Sequence, residues 1–324
     1  MTKSKIIAAS AIATVMTASA AQAEISISGG MAGWYLTGDL NTSLDRQWNT
    51  ESVNVTYSDT LDNGMGISVT ANVGETGNTI RGFTSDSADD VNMTMSISSD
   101  MGTLSFGDQI ASATDRADNI VNLSLFECCT WASTLMDGMA GTNGHYNDGD
   151  NMSGGANEGF EYTAPSMNGW TLRLSHMPTA DRASEGAEDS NQAAISGSLA
   201  GLSIAAGINS MGDNGTAGTG TDSTFVAGSM GLGPMSVTVG MFDGGSNNAD
   251  ATTIVVDMPI MGMSGKAAFV DMDDTAGYDD SGYRLGVAKS LGAATFGIEY
   301  DNADIASGDD GEVETWRIGY QVYF

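Results

Sequence analysis

The residues best placed to do chemistry in this chain are charged side chains, and the chemistry they indicate is electrostatic. Five candidate carboxylates lie just before or in the first part of one long stretch, residues 110–158: Asp108, Asp115, Asp118, Glu127 and Asp137. Four arginines fall on polar positions of alternating segments: Arg46, Arg173, Arg284 and Arg317. Facing each other across water, the two sets would create a transverse field that favours small polar solutes and sets ion preference. If the chain encloses a water-filled channel, the acids are candidates for its constriction and the arginines are candidates for its wall.

Metal-binding and catalytic patterns are weaker. Neither His145 nor His176 belongs to a sequence pattern that contains a nucleophile, and no G-x-S-x-G sequence occurs. We therefore expect that the protein is not an enzyme. Acidic clusters at 147–151, 271–274 and 307–312 offer oxygen ligands for Ca²⁺, but none has a complete EF-hand spacing. A plain solvated acidic rim is the alternative. The candidate Ca²⁺ ligands are Asp148, Asp150, Asp271, Asp273, Asp274, Asp309 and Asp310. No cofactor is expected to be required.

Cys128 and Cys129 are the only cysteines and are adjacent in sequence. A protein exported through an oxidising compartment can form disulfides. A vicinal disulfide, two free thiols and a link between protomers all remain open. One cysteine pair without further ligands does not indicate a zinc site.

Sixteen segments show strand character, most with apolar and polar residues on alternate positions. They lie at 24–36, 46–60, 65–74, 89–98, 103–109, 159–163, 170–177, 192–198, 202–210, 223–230, 235–243, 251–258, 263–272, 283–289, 293–301 and 313–324. The eighth, tenth and twelfth alternate weakly. Glycine is frequent (43 residues), proline is rare (4 residues), and no long amphipathic-helix pattern occurs. The sequence therefore predicts an all-β fold.

The connections between these segments alternate between short and long. Seven are turns of a few residues, and eight are longer loops, of which 110–158 is the longest. An antiparallel up-and-down transmembrane barrel of sixteen strands has this signature, because its turns meet at one rim and its loops at the other. Twenty-six of the 41 acidic residues fall in the long loops. This distribution predicts an acidic rim that attracts cations.

The start of the chain predicts export. Two lysines precede an apolar run over residues 6–20, and an A-x-A sequence follows at 21–23. This pattern is typical of a secretory signal peptide, here with cleavage after Ala23. The run is shorter than the ~20 residues that a spanning helix needs. We therefore expect a signal peptide over residues 1–23 and a single barrel domain over residues 24–324, since a closed barrel is the other structure that can span a membrane.

The last segment shows two unlike faces. Its apolar side chains occupy every second position: Trp316, Ile318, Tyr320, Val322 and Phe324. Such a face suits lipid on the outside of a barrel, and the polar face suits a water-filled lumen. A soluble sandwich would instead bury the apolar face in a core. A secreted, acidic, Ca²⁺-binding β-protein is therefore one alternative.

The longest loop is too apolar to be a solvated loop. It contains the sequence DNIVNLSLFECCTWASTLMDGM, and loops longer than about 15 residues are usually functional or disordered. Its apolar side chains need a surface to pack on: Ile120, Leu123, Leu125, Phe126, Trp131 and Leu135. The inside of the barrel wall is the expected surface.

The chain resembles the general porins of Gram-negative outer membranes, particularly the alphaproteobacterial type. The resemblance is carried by the signal peptide, the opening EISISGGMAGWYLTGD, the strand GTLSFGDQ at 102–109 and the terminal YQVYF. It implies a homotrimer of sixteen-stranded barrels whose third loop folds into the lumen. It also implies an outer-membrane location, with contacts to lipid and lipopolysaccharide. The terminal strand, through Tyr320, Val322 and Phe324, would be the signal that the assembly machinery reads.

Two features depart from the family pattern. Asp108 follows the sequence SFG where many relatives place an arginine, and few basic residues are available for the wall. We therefore expect passive diffusion of small hydrophilic solutes and ions with a preference for cations, and no nucleic-acid partner. A substrate-selective outer-membrane channel is the nearer alternative.

Overall fold

The computed structural model describes residues 23–38, 46–78, 91–110, 113–114, 117, 120–123, 125, 157–178, 189–211, 222–244, 250–273, 279–305 and 311–324. Over these ranges the chain forms sixteen strands. They are β1 (Glu24–Gly38), β2 (Arg46–Thr60), β3 (Gly66–Asn78), β4 (Val91–Ser99), β5 (Gly102–Ile110), β6 (Asn157–Thr163), β7 (Trp170–Met177), β8 (Ser190–Leu199), β9 (Leu202–Met211), β10 (Asp222–Leu232), β11 (Met235–Asp243), β12 (Asp250–Ile260), β13 (Met263–Asp273), β14 (Asp279–Leu291), β15 (Ala294–Ile305) and β16 (Gly311–Tyr323).

The strands form a closed antiparallel barrel in which each strand pairs with its sequence neighbours and β1 pairs with β16. The last residue completes the closure. Gly29 N–H donates to the Phe324 carbonyl at 2.9 Å, and Phe324 N–H donates to the Gly29 carbonyl at 2.9 Å. Because β1 and β16 pair with each other, the sheet closes on itself and neither of these strands is left with an unpaired edge. The predicted sixteen-stranded barrel is confirmed.

The two faces of the barrel wall have opposite polarity. On β16, Trp316 is 45% exposed and Ile318 is 54% exposed, whereas Arg317 between them is 1% exposed. Side chains alternate between the two faces of a strand, so the exposed apolar residues point outward and the buried polar residue points inward. An apolar exterior around a polar interior is the arrangement of a barrel that spans a lipid bilayer.

The short connections are tight hairpin turns. Asn168 and Gly169 have φ angles of 53° and 81°, and Ala200 and Gly201 have 52° and 85°. Two consecutive positive φ values match the twist of the flanking strands, which is why such turns are favoured in two-residue hairpins. These turns fix the strand register at one rim of the barrel. The strand ends that the longer connections join lie at the other rim.

Several strands extend further than the alternation pattern indicates, and the largest extensions are toward the loop rim. β3 ends at Asn78 and β14 begins at Asp279, whereas the pattern ends near residue 74 and begins near residue 283. Beyond the apolar band both faces carry polar residues, so the pairing continues after the hydrophobic signal is lost. No helix within the described part of the chain is long and apolar enough to cross a membrane.

Candidate functional site

One part of the inner wall is apolar although it faces the lumen. On β10 to β13 an apolar row runs across neighbouring strands, with Phe225 opposite Phe242, Phe242 opposite Ala251 and Ala251 opposite Met272. These side chains are 4–7% exposed. A second apolar position on β12, Val255, is 2% exposed. An apolar surface inside a water-filled barrel is stable only if something covers it.

The covering element is part of the third long loop, residues 111–156, which connects β5 to β6. Ala113, Ala117, Val121 and Leu123 are 0–8% exposed and belong to the same buried cluster as the inner faces of β8 to β13. Ile120 packs against this cluster. The loop therefore enters the barrel, as the sequence predicts. We call its described residues between 113 and 125 the seated segment.

Wall side chains hold the start of the seated segment by its main chain. Ala113 N–H donates to Ser175 Oγ on β7 at 2.9 Å. Thr114 N–H donates to Gln192 Oε1 on β8 at 3.2 Å, and the Thr114 hydroxyl donates to the same oxygen. Ser175 and Gln192 are 6% and 4% exposed. When the segment enters the barrel, its backbone N–H groups lose their hydrogen bonds to water. The bonds to Ser175 and Gln192 replace them.

The far end of the seated segment is held by two charged wall residues. Lys266 Nζ on β13 donates to the Asn122 carbonyl at 2.6 Å. Leu125 N–H donates to Glu299 Oε1 on β15 at 2.6 Å. Hydrogen bonds with one ionised partner are the stronger kind. The segment is therefore fastened across the wall from β7 to β15.

A glycine makes room for this contact. A Cβ atom at position 286 on β14 would lie 2.7 Å from Leu125 Cδ1 and 2.8 Å from Glu299 Cγ. Both separations are shorter than carbon atoms tolerate in a packed interior. Gly286 therefore lets the loop approach the wall closely.

Two arginines in the same wall form ion pairs with carboxylates on the neighbouring strand. Arg284 Nε and Nη2 donate to the two carboxylate oxygens of Asp301 at 2.6 and 3.1 Å. Arg317 Nη2 donates to Glu299. Each pair joins residues directly opposite each other, β14 to β15 and β15 to β16. The four side chains are 0–3% exposed, so the charges are balanced inside the wall.

The other two bases described on the inner face also have acidic neighbours. Lys266 Nζ lies 3.1 Å from Asp257 Oδ1, and the Asp257 side chain is 44% exposed. Arg173 Nε lies 3.9 Å from Glu161 Oε1, and its Nη1 donates to Ser196 Oγ at 2.9 Å. Each inward-facing base whose side chain is described therefore has a carboxylate close by.

The predicted site residues are placed unevenly. Arg173, Arg284 and Arg317 lie on the inner face of the barrel, where their described acidic neighbours are wall residues. Arg46 is the first residue of β2, and Asp108 lies in β5 between Gly107 and Ile110, where the register shifts; their side chains are outside the described part. Also outside it are Asp115, Asp118, Glu127, Asp137, Cys128 and Cys129. Their predicted roles stay predictions.

Sequence reasoning missed the wall groups that hold the loop or balance the wall bases: Glu161, Asp257, Lys266, Glu299 and Asp301. A signal was present, because each lies on the polar positions of its strand. Residues of opposite charge on the same face of neighbouring strands are expected to pair. Recognising the pairs required the register between strands, which alternation alone does not supply.

The predicted Ca²⁺ ligands fall mostly outside the described ranges. Asp271 and Asp273 are exposed at the loop end of β13. Among the described residues no group of three or more histidine, cysteine, aspartate or glutamate side chains could hold a metal ion. Calcium binding remains a prediction.

The proposed assembly residues lie on the outer face of β16. The rings of Tyr320 and Phe296 on β15 have centroids 6.5 Å apart. Phe324 is 70% exposed while its backbone closes the barrel. Nearer the loop rim, the rings of Tyr300 and Trp316 lie 4.7 Å apart, and those of Tyr283 and Tyr300 lie 6.0 Å apart. Aromatic residues on the outer face suit the lipid–water interface.

The opposite part of the inner wall is different. On β2 to β5 most of the described inward positions carry hydroxyl or carboxamide side chains, and most of these side chains are half-buried. Like residues lie opposite each other on neighbouring strands: Asn54 and Asn72; Thr56, Thr70 and Thr94; Ser58, Ser68, Ser96 and Ser105. We call this surface the ladder wall, and the inner faces of β7 to β16 the seat wall.

A closed barrel with an apolar exterior, a polar interior and an inserted loop is a membrane channel of the porin type. The family model for Gram-negative porins matches residues 8–322. The chain therefore belongs to the Gram-negative porin family, whose members are outer-membrane channels and not enzymes.

Solved structures show the same fold. A triple mutant of the Rhodopseudomonas blastica porin superposes with a TM-score of 0.65 at 17% identity, covering 93% of this chain and 100% of that chain. An anion-selective porin from Comamonas acidovorans gives a TM-score of 0.67 at 13% identity, covering 94% and 100%. A search of curated proteins gives no match.

Proposed function

We propose that this porin is a general diffusion channel that lets small hydrophilic solutes and ions cross the outer membrane passively and prefers cations. The observation that carries the proposal is the charge balance of the inner wall. The described bases in the lumen lie beside carboxylates. They therefore contribute little net positive potential to a passing ion.

The remaining charge of the protein is strongly negative. The sequence carries 41 acidic and 11 basic residues, giving a formal net charge of −30. Because the wall bases are matched by wall acids, the excess of carboxylates belongs to the rest of the molecule, mainly to the long loops. A negative rim concentrates cations at the channel mouth and repels anions. The anion-selective porin of similar fold shows that the fold alone does not set the sign.

The further parts of the proposal come from the sequence and the family. We infer export by a signal peptide cleaved after Ala23, delivery to the outer membrane through a terminal strand that ends in Phe324, and assembly into a homotrimer. Contacts with lipid and lipopolysaccharide follow from the apolar exterior and the outer-membrane location. Calcium bound between the acidic loops would strengthen such contacts by bridging carboxylates and lipid phosphates.

The test of the channel is conductance in a planar bilayer. Purified protein is inserted from detergent, and current is recorded with tenfold different KCl concentrations on the two sides. We expect stable conductance steps. We also expect a reversal potential whose sign shows that potassium permeates more readily than chloride. Folded protein that gives no conductance would overturn the channel proposal. Conductance with a reversal potential of chloride sign would overturn the cation preference alone.

The oligomeric state needs a separate measurement. Light scattering or native mass spectrometry of the detergent-extracted protein, corrected for bound detergent, is expected to give three times the mass of one mature chain. A monomer mass under conditions where the channel still conducts would contradict the homotrimer.

A further inference from the structure

The two halves of the inner wall differ sharply in exposure. On the seat wall, Thr253 is 0% exposed, Val270 is 1% and Asn209 is 2%. On the ladder wall, the inward residues of β2, β3 and β4, such as Thr56, Thr70 and Ser96, are half-exposed. Both sets point into the same barrel. The difference therefore records where the lumen is filled by protein and where it is open to water.

The apolar pattern explains why the loop lies on one side. The seated segment buries aliphatic side chains, and the seat wall offers Phe225, Phe242 and Val255 as partners. The described inward positions of β2 to β4 offer none, because they carry serine, threonine, asparagine or glycine. On β5 the one described inward residue that is apolar is Ile110, which lies past the register shift near the start of the loop. Moving the segment to that side would place apolar groups against hydroxyls and lose the burial that stabilises it.

The ladder wall is chemically ordered along the channel. Its asparagines pair by a bond of 2.7 Å from Asn72 Nδ2 to Asn54 Oδ1. The Thr56 and Thr70 hydroxyl oxygens lie 2.9 Å apart, and those of Ser96 and Ser105 lie 2.7 Å apart. Successive rows are two residues apart, so the three rows cover about 13 Å along the strands at ~3.3 Å per residue. Every group is uncharged and has capacity left for water or solute.

From these observations we propose that the conducting path runs along the ladder wall, and that its uncharged rows of asparagine, threonine and serine are the surface that solutes touch there. The inference rests on the proposed channel function. It assigns the specificity-determining wall residues to the three rows on β2–β5 and makes these rows a hydrogen-bonding surface without a charge of its own. The sign of ion selectivity must then come from the loops and the rim. Uncharged solutes meet no electrostatic barrier from this side.

The test is accessibility of single cysteines in the folded channel. Cys128 and Cys129 are first replaced by serine, and Thr70→Cys is compared with Thr253→Cys in that background. Both change a small β-branched residue on an inward position, one on the ladder wall and one on the seat wall. A sulfonate-bearing methanethiosulfonate is added from the aqueous side. Labelling is followed by mass spectrometry, and current is recorded in parallel.

We expect rapid labelling of Thr70→Cys with a stepwise fall in conductance, and labelling of Thr253→Cys that is at least about tenfold slower, because reaction requires exposure of the thiol. Equal labelling of the two variants would overturn the proposal. So would fully labelled Thr70→Cys channels that conduct as before. If the background protein folds but does not conduct, the channel function fails, while the labelling ratio still decides which wall is open.

Discussion

The ladder wall and the seat wall belong to one sheet but differ in what their inward side chains contact. The ladder wall keeps hydroxyls and carboxamides in contact with water, and like side chains within its rows hydrogen-bond to each other. The seat wall buries apolar rows and ion pairs beneath a loop. The comparison teaches that charge in a porin lumen is not always presented to the solute. Here the described wall charges fasten the loop or balance each other, and the described rows of the open side are uncharged.

The largest effect on this contrast is expected from Glu299→Ala. The substitution removes the carboxylate that accepts from Leu125 N–H and pairs with Arg317. Losing one partner of a buried ion pair costs about 3–5 kcal/mol. The free energy of unfolding, measured by urea titration in lipid vesicles, should fall by that amount. Ser96→Ala on the ladder wall is the control, and equal losses for the two variants would contradict the difference between the walls.

Gly286→Val is expected to come next. Its Cβ would press on Leu125 and Glu299, and overpacking of this kind costs about 1–3 kcal/mol. The seated segment should be pushed toward the open side, lowering single-channel conductance and increasing brief closures. Gly228→Val is the matched control, because a Cβ there meets its nearest neighbour only at 3.6 Å. Unchanged current records for Gly286→Val would show that the segment is not seated against β14.

Lys266→Met, with and without Asp257→Asn, distinguishes two roles of Lys266: holding the seated segment and neutralising Asp257. Methionine keeps most of the length of the side chain but loses the bond to the Asn122 carbonyl, at a cost of about 1.5 kcal/mol for a charged hydrogen bond. It also leaves the half-exposed Asp257 without its cationic neighbour. Cation preference, measured as the reversal potential, should increase. A shift toward chloride would contradict the assignment, and Asp257→Asn with Lys266→Met should restore the original value.

Thr70→Val should have the smallest effect. The change keeps the shape of the side chain and removes one hydroxyl that pairs with Thr56 and is half-exposed to water. The loss should stay within about 1 kcal/mol, with potassium conductance nearly unchanged. A loss comparable to that of Glu299→Ala would mean that the ladder wall is as tightly packed as the seat wall.

Alternation and connection length were sufficient to predict the sixteen strands and the turns between them, and the apolar composition of the third loop predicted its entry into the barrel. The same pattern was weakest on β8, β10 and β12, and the structure supplies the reason. Ala194, Phe225 and Val255 on these strands point inward, where the loop covers them. Apolar residues on both faces erase the period of two. Weak alternation on these three strands was therefore itself a signal for the surface that receives the loop.

The pairing of charges could not be predicted in the same way. The alternation of faces along each strand placed Arg284 and Arg317 on the inner face. Which acidic residues lie beside them depends on the strand register, which is set by turn lengths and barrel closure together. The contact of Glu299 with Leu125 joins residues 174 positions apart. Such a contact depends on how the loop enters the barrel, and no local sequence pattern encodes it.

The central claim is that ions pass along the uncharged rows of the ladder wall, and the reversal potential of Thr70→Lys under a KCl gradient tests it most directly. Met261→Lys adds the same charge at a turn tip that is 96% exposed and serves as the control. We predict that Thr70→Lys shifts the reversal potential clearly toward chloride, while Met261→Lys leaves it near the value of the unsubstituted protein. Identical reversal potentials for the two variants would show that the conducting path does not follow the ladder wall.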